Sequence, residues 1–471
     1  MRPQRSFFAG LRQSAFAPVD IASLVFFRIV FALLMMWQIS TYFASHTIYN
    51  LWLAPRFLFK YYGFSWVHPW PGDGLYIHCA ALGFFALFVA IGFLYRVNAV
   101  LLFVSYAYFF LLDEARFANH TYLLCLFSFL LIFVPANRAL SVDAWLSPKI
   151  RSQSTPAWTL WLLRAQIGAV YFFAGLAKIA PDWLHGEPIR SRLLHRGDFP
   201  IFGRFFRNEW AVYTFSYSAL FLDLLIVPLL LWRRTRVPVF CLAVVFHLIN
   251  ARWFNIGIFP WLAIAATTLF FSPSWPRRIV GLFRETARAT SADDGKPPSH
   301  RKQILVLSFV AIYIALQLLL PLRHFLWRGG VEWTYAEHRF SWRMMLVTQS
   351  SQAFFYVADP NTGRTVQVRL AEFLSPRQSA ALAYLPDIPL QFAHYLAKVM
   401  PRRGPKPLRV EARIFVSING RKPQLYVDPN VDLAAQSRPL GRPSWLLRID
   451  EPLPPHQKYS AENPVAPTDA E

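Results

Sequence analysis

The sequence predicts a polytopic α-helical membrane protein of about nine transmembrane helices, followed by a C-terminal extramembrane domain that contains β-strands. The 471-residue chain is 55% hydrophobic and 17% aromatic, which exceeds the apolar content of a soluble domain. Apolar runs of near-spanning length recur up to about residue 320. Beyond about Leu322 polar and apolar residues mix, and some stretches alternate as β-strands do.

The membrane part is predicted from the spacing of its apolar runs. Runs long enough to span a bilayer, or nearly so, cover residues 21–43, 78–95, 97–112, 121–135, 158–180, 212–232 and 304–320. The first run lacks a small-residue cleavage site, so we interpret it as a retained span rather than a signal peptide. The stretch 237–271 is broken by Asn250 and Pro260, and it fits either two short helices or a re-entrant pair. Because irregular backbone at membrane depth must be buried in protein or line a cavity, we expect a site near this break.

The charge distribution predicts the orientation. The net charge of +22 comes from Lys and Arg residues that gather at the ends of the apolar runs. This pattern is typical of topology signals and of contact with anionic lipid, and no nucleic-acid-binding motif accompanies it. Placing the basic ends inside predicts that Asp113–His120, the helix end at Lys178 and everything after Pro321 face outside. This orientation requires 237–271 to cross twice, and the five arginines between 190 and 207 count against it.

Three parts follow one another along the chain. Residues 1–320 are predicted to form the multi-span membrane domain, with an inner linker at about 279–303. Residues 321–455 are predicted to form a soluble, β-rich domain, and residues 456–471, rich in Pro, Ala and acid, a disordered tail. The predicted strands, of which the last two are joined by an Asn-Gly hairpin signal at 419–420, are Thr365–Leu370, Arg409–Ile418 and Gln424–Val427.

A lysine stands near the end of the fifth apolar run, in the stretch Tyr171-Phe-Phe-Ala-Gly-Leu-Ala-Lys178-Ile-Ala-Pro-Asp182-Trp183. If one helix continues through it, Tyr171, Lys178 and Asp182 share a face. A lysine in a membrane helix is energetically costly unless its side chain snorkels to the interface, forms an ion pair or has a functional role. Burial favours an uncharged lysine that can act as a base, whereas a partner at Asp182 would hold it charged. A structural ion pair with Asp182 and a catalytic role therefore both remain open.

Two histidines add to the case for a site. His120 follows Asn119 at the start of an apolar run, where a histidine is usually an interfacial hydrogen-bonding residue. His247 lies inside the interrupted stretch, with Asn250 one turn on as an available partner. A histidine and a lysine within membrane segments indicate function. No His-x3-His pair or carboxylate cluster supports a metal, and all three cysteines lie in apolar runs, so no metal is predicted.

Nine segments resemble, in the same order, those of vitamin K-dependent γ-glutamyl carboxylases. The stretch from Tyr171 to Trp183 resembles the family's Tyr-Phe-x-Ala-Gly-x-Lys-Lys-x-x-x-Asp-Trp segment. The others are Asn119-His120-Thr-Tyr122, Ala136-Asn137-Arg138-x-x-Ser141-Val142-Asp143, Phe246-His247-x-x-Asn250, Ser272-Pro273-x-Trp275-Pro276-Arg277, Leu320-Pro321-x-x-His324-Phe325, Phe340-Ser341-Trp342-x-Met344-Met345, Val416-Ser417-Ile418-Asn419-x-Arg421 and Asp428-Pro429-x-Val431-Asp432. Together they cover about residues 20–450. The membrane half is also the region that bacterial horizontally-transferred-transmembrane-domain (HTTM) proteins share with the animal enzymes.

The resemblance implies a carboxylase that oxygenates vitamin K hydroquinone, or menaquinol, to its epoxide. In the family this reaction is coupled to removal of a γ-proton from glutamate, after which carbon dioxide adds. An amine is too weak to take that proton, so it ionises the hydroquinone and oxygen addition then provides the strong base. The implied cofactors are the quinol, O2 and CO2. The implied partners are a glutamate-containing protein or peptide, membrane lipid and quinone.

The resemblance also implies roles for single residues. Lys178 matches the second lysine of the family's pair, which is the initiating base, and Ala177 replaces the first. His120 matches the histidine that assists capture of carbon dioxide, and His247 matches a histidine of the quinone pocket. Contacts with the quinone are implied for Tyr171, Asn119 and Asn250. Contacts with glutamate are implied for Ser341 and Trp342, for which a packed aromatic turn is the alternative.

Two further functions remain open. The chain could be a quinone epoxidase or oxygenase that acts on another acceptor. It could also be a membrane transporter or lipid-binding protein in which Lys178 and Asp182 form a structural or proton-relay pair, although it has no internal repeat and carries a large soluble domain. The soluble half lacks the cysteines of the family's lumenal disulfide and is short, which counts against an animal-type propeptide. The predicted location is the bacterial inner membrane, with the C-terminal domain on the periplasmic side.

Overall fold

The N-terminal part of the chain is helical, and the C-terminal part contains a small sheet. The computed structural model describes residues 7–194, 203–254, 256–279, 298–326, 331–335, 338–383, 385–438, 443–449 and 451–453. Most of the predicted linker at 279–303 and the whole predicted tail at 456–471 lie outside these residues.

The N-terminal helices follow the predicted apolar runs closely. In chain order they are Phe7–Ala15 (α1), Ala22–Ala44 (α2), Gly74–Ile91 (α3), Tyr95–Leu111 (α4), Asn119–Phe133 (α5), Val142–Leu146 (α6), Trp158–Ala177 (α7), Pro181–Leu184 (α8), Ile189–Leu194 (α9), Glu209–Leu231 (α10), Arg236–Trp253 (α11), Phe259–Thr267 (α12), Trp275–Ile279 (α13) and His300–Leu319 (α14). Within the described residues, six are long and apolar enough to cross a membrane: α2, α3, α7, α10, α11 and α14. The apolar helices α4, α5 and α12 are shorter, so six of about nine predicted spans are supported.

The interrupted stretch forms two helices. The first, α11, ends at Trp253, and α12 begins at Phe259 after a turn in which Gly257 has a positive φ of 56°. Pro260 lies in the first turn of α12, where a missing N–H costs no helical hydrogen bond. The break therefore reflects a helix end followed by a helix start.

A buried arginine ties together the helix ends on the face opposite the C-terminal part. Arg28 of α2 is fully buried, and its guanidinium donates to the carbonyls of Ala90, Ala136 (2.6 Å) and Leu140. Gly92, with φ of 68°, ends α3 beside it, and a Cβ there would lie 2.4 Å from the Ser141 Cβ. The segment from Ala136 to Asp143, one of the nine that carry the family resemblance, thus holds the helix bundle together on this face.

The same face carries a second link. The short strands Pro18–Asp20 (β1) and Ser154–Pro156 (β2) pair antiparallel before α2 and α7. Arg277 donates from Nε to Asp20 Oδ2 at 2.7 Å, and the ring of Trp275 meets that of Phe26 edge to face at 4.7 Å. The segment from Ser272 to Arg277 therefore anchors α13 against the start of α2.

The C-terminal part is a four-stranded antiparallel sheet with helices packed on it. Its elements are Val331–Thr334 (α15), Gln349–Asp359 (β3), Arg364–Gln367 (β4), Pro376–Ala381 (α16), Asp387–Val399 (α17), Arg409–Ile418 (β5) and Gln424–Leu425 (β6), in the sheet order β4-β3-β5-β6. Strand β5 buries every second residue, from Val410 to Ile418, and α17 packs on this apolar face. The predicted strand Arg409–Ile418 and the hairpin turn are confirmed. The strands predicted at Thr365–Leu370 and Gln424–Val427 are present but end at Gln367 and Leu425, and β3, which pairs with β5 along its length, was not predicted.

The two parts of the chain share a core. Phe59, from the loop after α2, is fully buried in the apolar core of the C-terminal part, and Phe57 stacks on Tyr395 with ring centroids 4.4 Å apart. The Glu114 carboxylate lies 2.7 Å from both Arg339 Nη1 and Arg438 Nη2. The segment at Glu114, the end of α7 and the C-terminal part therefore lie on one side of the helices.

Candidate active site

Lys178 ends α7 and points back into the bundle. It is 6% exposed, and its Nζ donates to Asp223 Oδ2 of α10 at 2.7 Å and to the Ala174 carbonyl at 3.1 Å. The alternative of an ion pair between Lys178 and Asp182 is wrong, because the helix stops at Ala177 and the chain restarts in α8. Asp182 is therefore not on the same helical face as Lys178.

A glycine allows the lysine and Asp223 to meet. A Cβ on Gly175 would lie 2.7 Å from Leu224 Cδ2 and 2.9 Å from the Leu224 backbone nitrogen, so α7 and α10 touch backbone to backbone at this level. Small residues at helix crossings permit such close approach in membranes. The Ala-Gly of the sequence segment is thus required by the Lys178–Asp223 pair.

Asp182 binds the C-terminal part instead. Its two carboxylate oxygens accept from Arg421 at 2.6 and 2.9 Å, and Oδ2 also accepts from Asn419 Nδ2 at 2.7 Å. Burial alone would raise the pKa of this carboxyl, but the hydrogen bonds from Arg421 and Asn419 hold its pKa below the ordinary value. Asp182 is therefore ionised in the neutral pH range.

His247 and Tyr171 form a second buried pair. The Tyr171 hydroxyl lies 2.7 Å from His247 Nε2, and the two residues are 3% and 1% exposed. If the hydroxyl donates, the imidazole carries its proton on Nδ1. Nδ1 is buried and has no hydrogen-bond partner among the described residues. The anticipated partner Asn250 lies nearby on the cavity wall, but the bond goes to Tyr171.

A cavity of about 460 Å³ collects most of the predicted site residues. This volume lies in the range of small-molecule and cofactor sites. The predicted residues on its wall are Asn119, His120, Tyr171, Lys178, His247 and Asn250. They come from α5, α7 and α11, and Asp223 of α10 joins them. The chain bend between α11 and α12 also lines the cavity, through Phe254 and Ile256.

The C-terminal part closes the cavity with basic residues. Arg343 and Arg377 line it from this part, and Arg192 does so from α9. Among the described lining residues, Asp223 is the one carboxylate, and it is paired with Lys178. His338 also lines this wall; burial, followed by the nearby arginines, lowers its pKa to about 3, so it is neutral at pH 7. A wall of this charge favours an anionic ligand.

Ser341 and Trp342 lie behind this wall. Ser341 Oγ donates to the His338 carbonyl, and the fully buried Trp342 stacks on Tyr122 with ring centroids 5.0 Å apart. Neither residue lines the cavity, whereas Arg343 and the residues after it do.

The backbone around these two residues is strained. Phe340, Trp342 and Met345 have positive φ values of 61°, 58° and 60°, which residues with a Cβ rarely adopt. The burial of Trp342 against Tyr122 holds this strained turn, which presents Arg343 to the cavity.

The arrangement can move a proton at a buried site. The Lys178–Asp223 pair supplies a donor and an acceptor that exchange a proton without a change in net charge, and His247 Nδ1 adds a buried polar group. Asp223 was missed in the sequence, although a carboxylate inside the apolar run 212–232 was the signal for it. No group of three His, Cys, Asp or Glu side chains in the described part of the chain could hold a metal ion.

These features define an integral membrane protein with a buried lysine–aspartate pair beside a cavity that the C-terminal part closes. Residues 16–275 match the family described as the HTTM domain, and residues 302–452 match the vitamin K-dependent gamma-carboxylase lumenal domain. The chain belongs to the vitamin K-dependent gamma-carboxylase family. The name of the second match refers to the non-cytoplasmic side of the membrane. No solved structure matches the chain.

Proposed function

We propose that the protein couples oxygenation of vitamin K hydroquinone, or of menaquinol, to carboxylation of glutamyl residues. The observation that carries the proposal is the buried Lys178–Asp223 pair, in which Nζ lies 2.7 Å from Oδ2. The cavity beside it is also lined by His120 and by three arginines, Arg192, Arg343 and Arg377. A general base must lie within hydrogen-bond reach of the proton that it removes, and the pair lies on the wall of a cavity that a quinol would enter.

The cavity fits a hydroquinone ring. The apolar side chains of Phe246, Phe259 and Val170 line it beside Lys178, and the partnerless Nδ1 of His247 supplies a polar group that a ring oxygen would satisfy. Tyr171 holds the tautomer of His247, and Asn250 borders the same space. When bound, the hydroquinone supplies the electrons for reaction with oxygen, and that reaction provides the strong base that an amine cannot.

Lys178 and Asp223 act as one proton acceptor. The pair begins as an ammonium and a carboxylate, or as the equivalent neutral amine and acid, and it accepts one further proton from the hydroxyl of a ligand beside Nζ. The product is an ammonium beside a carboxylic acid, and its net positive charge faces the anion formed on the ligand. Without Asp223 the lysine would stand in an apolar site as an isolated charge. Trp183, whose ring centroid lies 5.1 Å from Nζ, limits where the lysine side chain can swing.

The acceptor side of the cavity is formed by the C-terminal part. Arg343 and Arg377 would attract the glutamyl carboxylate, and the neutral His338 lies among them. His120 faces the same space from the start of α5 and would assist capture of carbon dioxide. Ser341 and Trp342 would act on the acceptor by shaping this wall.

The proposal includes a topology. The shorter helices α4, α5 and α12 would cross with the six longer ones, giving nine spans, and the domains would be 1–320 and 321–455. The C-terminal domain would face the periplasm from a bacterial inner membrane. Cysteines placed at the exposed Lys398 and Lys149 test this: an impermeant thiol reagent added to intact cells should label the first and spare the second. The opposite labelling would reverse the orientation.

Activity is tested with the purified protein in detergent, given vitamin K hydroquinone, oxygen and labelled bicarbonate, with and without a Glu-rich peptide. Lys178→Ala and Asp223→Asn should each lower epoxide formation at least about a hundredfold, the usual cost of losing a general base. The control Lys149→Ala changes an exposed lysine on the other face and should retain full activity.

Label in the peptide would establish carboxylation. Epoxide without label would assign a quinone oxygenase with another acceptor. If folded wild-type protein forms no epoxide, the proposed chemistry is wrong, and a transporter or lipid-binding protein becomes the better interpretation.

A further inference from the structure

The short helix α8 connects the catalytic lysine to the C-terminal part. Three residues separate Lys178 from Asp182, and Trp183 follows directly. On its inner side α8 is pinned to α10: Trp183 Nε1 donates to the Ser216 carbonyl at 3.0 Å, and Ser216 Oγ donates to the Trp183 carbonyl at 2.9 Å. The Trp183 ring then lies beside Lys178 Nζ. Any movement of α8 therefore moves the surroundings of the amine.

On its outer side α8 is held by a hairpin. Asn419 and Gly420 form the turn after β5 with positive φ values of 52° and 76°, and the turn presents Arg421 to Asp182. The Arg421–Asp182 contact is bidentate, and the side chains are 13% and 16% exposed. Charge-assisted bidentate bonds of this kind fix geometry as well as adding energy. We call Asn419, Gly420 and Arg421 the hairpin corner.

The hairpin corner also holds the cavity wall. Asn419 accepts from the Thr348 N–H through its Oδ1 at 2.9 Å, and its own N–H donates to the Thr348 carbonyl at 2.9 Å. Just before Thr348 in the chain, the carbonyls of Met345 and Val347 accept hydrogen bonds from Arg192 of α9. One asparagine thus contacts both Asp182 and the segment that lines the acceptor side.

We infer that Asp182, held by Arg421 and Asn419, is a positioning residue. It sets the position of Lys178 relative to the cavity and couples the lysine to the cavity wall that the C-terminal part forms. We call the contacts of Asp182 with Arg421 and Asn419 the clamp. This inference rests on the proposed function only in its assignment of Lys178 as the base. In the described structure Lys178 Nζ bonds to Asp223 and Ala174 rather than to Asp182, and Asp182 does not itself line the cavity. Its effect on the amine passes through α8 and Trp183. Loss of the clamp removes the outer restraint on α8, while the Lys178–Asp223 pair and the bonds between Trp183 and Ser216 keep their partners.

The test measures the reactivity of the Lys178 amine without requiring turnover. Wild type, Asp182→Asn and Arg421→Gln in detergent are treated with trace acetic anhydride from pH 6 to 10, and acetylation of Lys178 is compared by mass spectrometry with that of the exposed Lys149 in the same molecule. Both variants should acetylate Lys178 about tenfold faster relative to Lys149 and should shift its pH profile, because the clamp no longer keeps the amine covered. Arg421→Lys keeps the positive charge, so it should restore part of the slow acetylation of Lys178 seen in wild type.

Two controls separate positioning from simple docking. Arg438→Gln weakens a different contact between the same two parts and should leave Lys178 acetylation within about twofold of wild type, as should the exposed Arg409→Gln. Unchanged acetylation in Asp182→Asn and Arg421→Gln, or an equal rise in Arg438→Gln, overturns the inference.

Turnover gives an independent readout. Where wild type forms epoxide, both clamp variants should lower kcat about tenfold and leave KM for the quinol unchanged, since the quinol cavity is intact. An altered KM with unchanged kcat would contradict the positioning role. If wild type forms no epoxide, the proposed function fails, and the acetylation result still decides whether the clamp governs Lys178.

Discussion

At the scale of single residues, a neutral histidine among arginines sets part of the acid response. Burial and the neighbouring Arg343, Arg339 and Arg323 lower the pKa of His338 to about 3. In the unfolded chain a histidine titrates near about pH 6.5, so the unfolded state binds the proton first as pH falls. His338 therefore supports the fold above that pH, and its contribution is lost progressively toward pH 3.

His338→Gln should change how stability depends on pH. Between pH 7.5 and 5.5 wild type should lose about 1 kcal/mol of unfolding free energy that the variant does not lose. Chemical denaturation in detergent at the two pH values measures the difference in unfolding free energy between wild type and the variant. This difference, the gap, should be smaller at pH 5.5. The exposed His68→Gln serves as the control, with a gap that stays constant. A His338→Gln gap that is constant or widens would show that the histidine is protonated in the fold.

The residue scale also shows what the sequence could and could not supply. The apolar context of Lys178, His247 and His120 made them candidates and the family resemblance implied their roles. All three line one cavity. The partner of Lys178 was missed, because Asp182, close in sequence, was the one partner considered. The helix ends at Ala177, so Asp182 turns away to Arg421 while Asp223, from a helix 45 residues later, takes its place. Helix ends depend on packing that local pattern does not encode.

At the scale of elements, the contact between α7 and α10 sets the geometry of the site. Two glycines of α7 face α10, but they differ in how closely the helices approach. A Cβ on Gly168 would lie 3.7 Å from the Val227 side chain, an ordinary contact, whereas one on Gly175 would lie 2.9 Å from backbone. The close level is the one beside Asp223.

Gly175→Ala should therefore force the helices apart where the ion pair forms. We expect a loss of about 2 kcal/mol or more in unfolding free energy, from overpacking and from stretching the pair, and a large loss of epoxide formation. Gly168→Ala is matched in helix, partner and chemistry, and it should cost less than about 1 kcal/mol. Denaturation midpoints and initial rates of both variants make the comparison. Equal losses in the two variants would refute the close approach at Gly175.

Elements differed in how well the sequence predicted them. Apolar runs matched helices because membrane burial imposes a strong pattern over many residues. Strand β5 was predicted because it alternates. Strand β3 begins Gln349-Ser-Ser-Gln and was missed, because its pairing with β5 is a long-range contact that leaves little local pattern.

At the scale of the whole molecule, an ion cluster joins the two parts. Arg339 and Arg438 each contact Glu114 and Asp387, which come from the membrane part and from α17. The carboxylate of Glu114 is 2% exposed, so removal of a cation leaves charge buried.

Arg438→Gln should lower the free energy of unfolding by about 3 kcal/mol, the usual cost of breaking a buried pair from one side. The control Arg409→Gln removes a half-exposed partner of Glu411 and should cost less than about 1 kcal/mol. Thermal denaturation followed by tryptophan fluorescence compares the two. A small loss for Arg438→Gln would mean that Arg339 alone neutralises the cluster.

The hydrogen bonds from Arg28 to distant carbonyls have a consequence for biosynthesis. The carbonyls that Arg28 binds are 62, 108 and 112 residues further along the chain. At roughly 5–20 residues per second, the last of them leaves the ribosome on the order of 10 s after the arginine does. An unpaired guanidinium is costly in lipid, so α2 has no stable place in the bilayer during that interval. Release of the first span into the membrane is thereby tied to translation of the segment from Ala136 to Leu140.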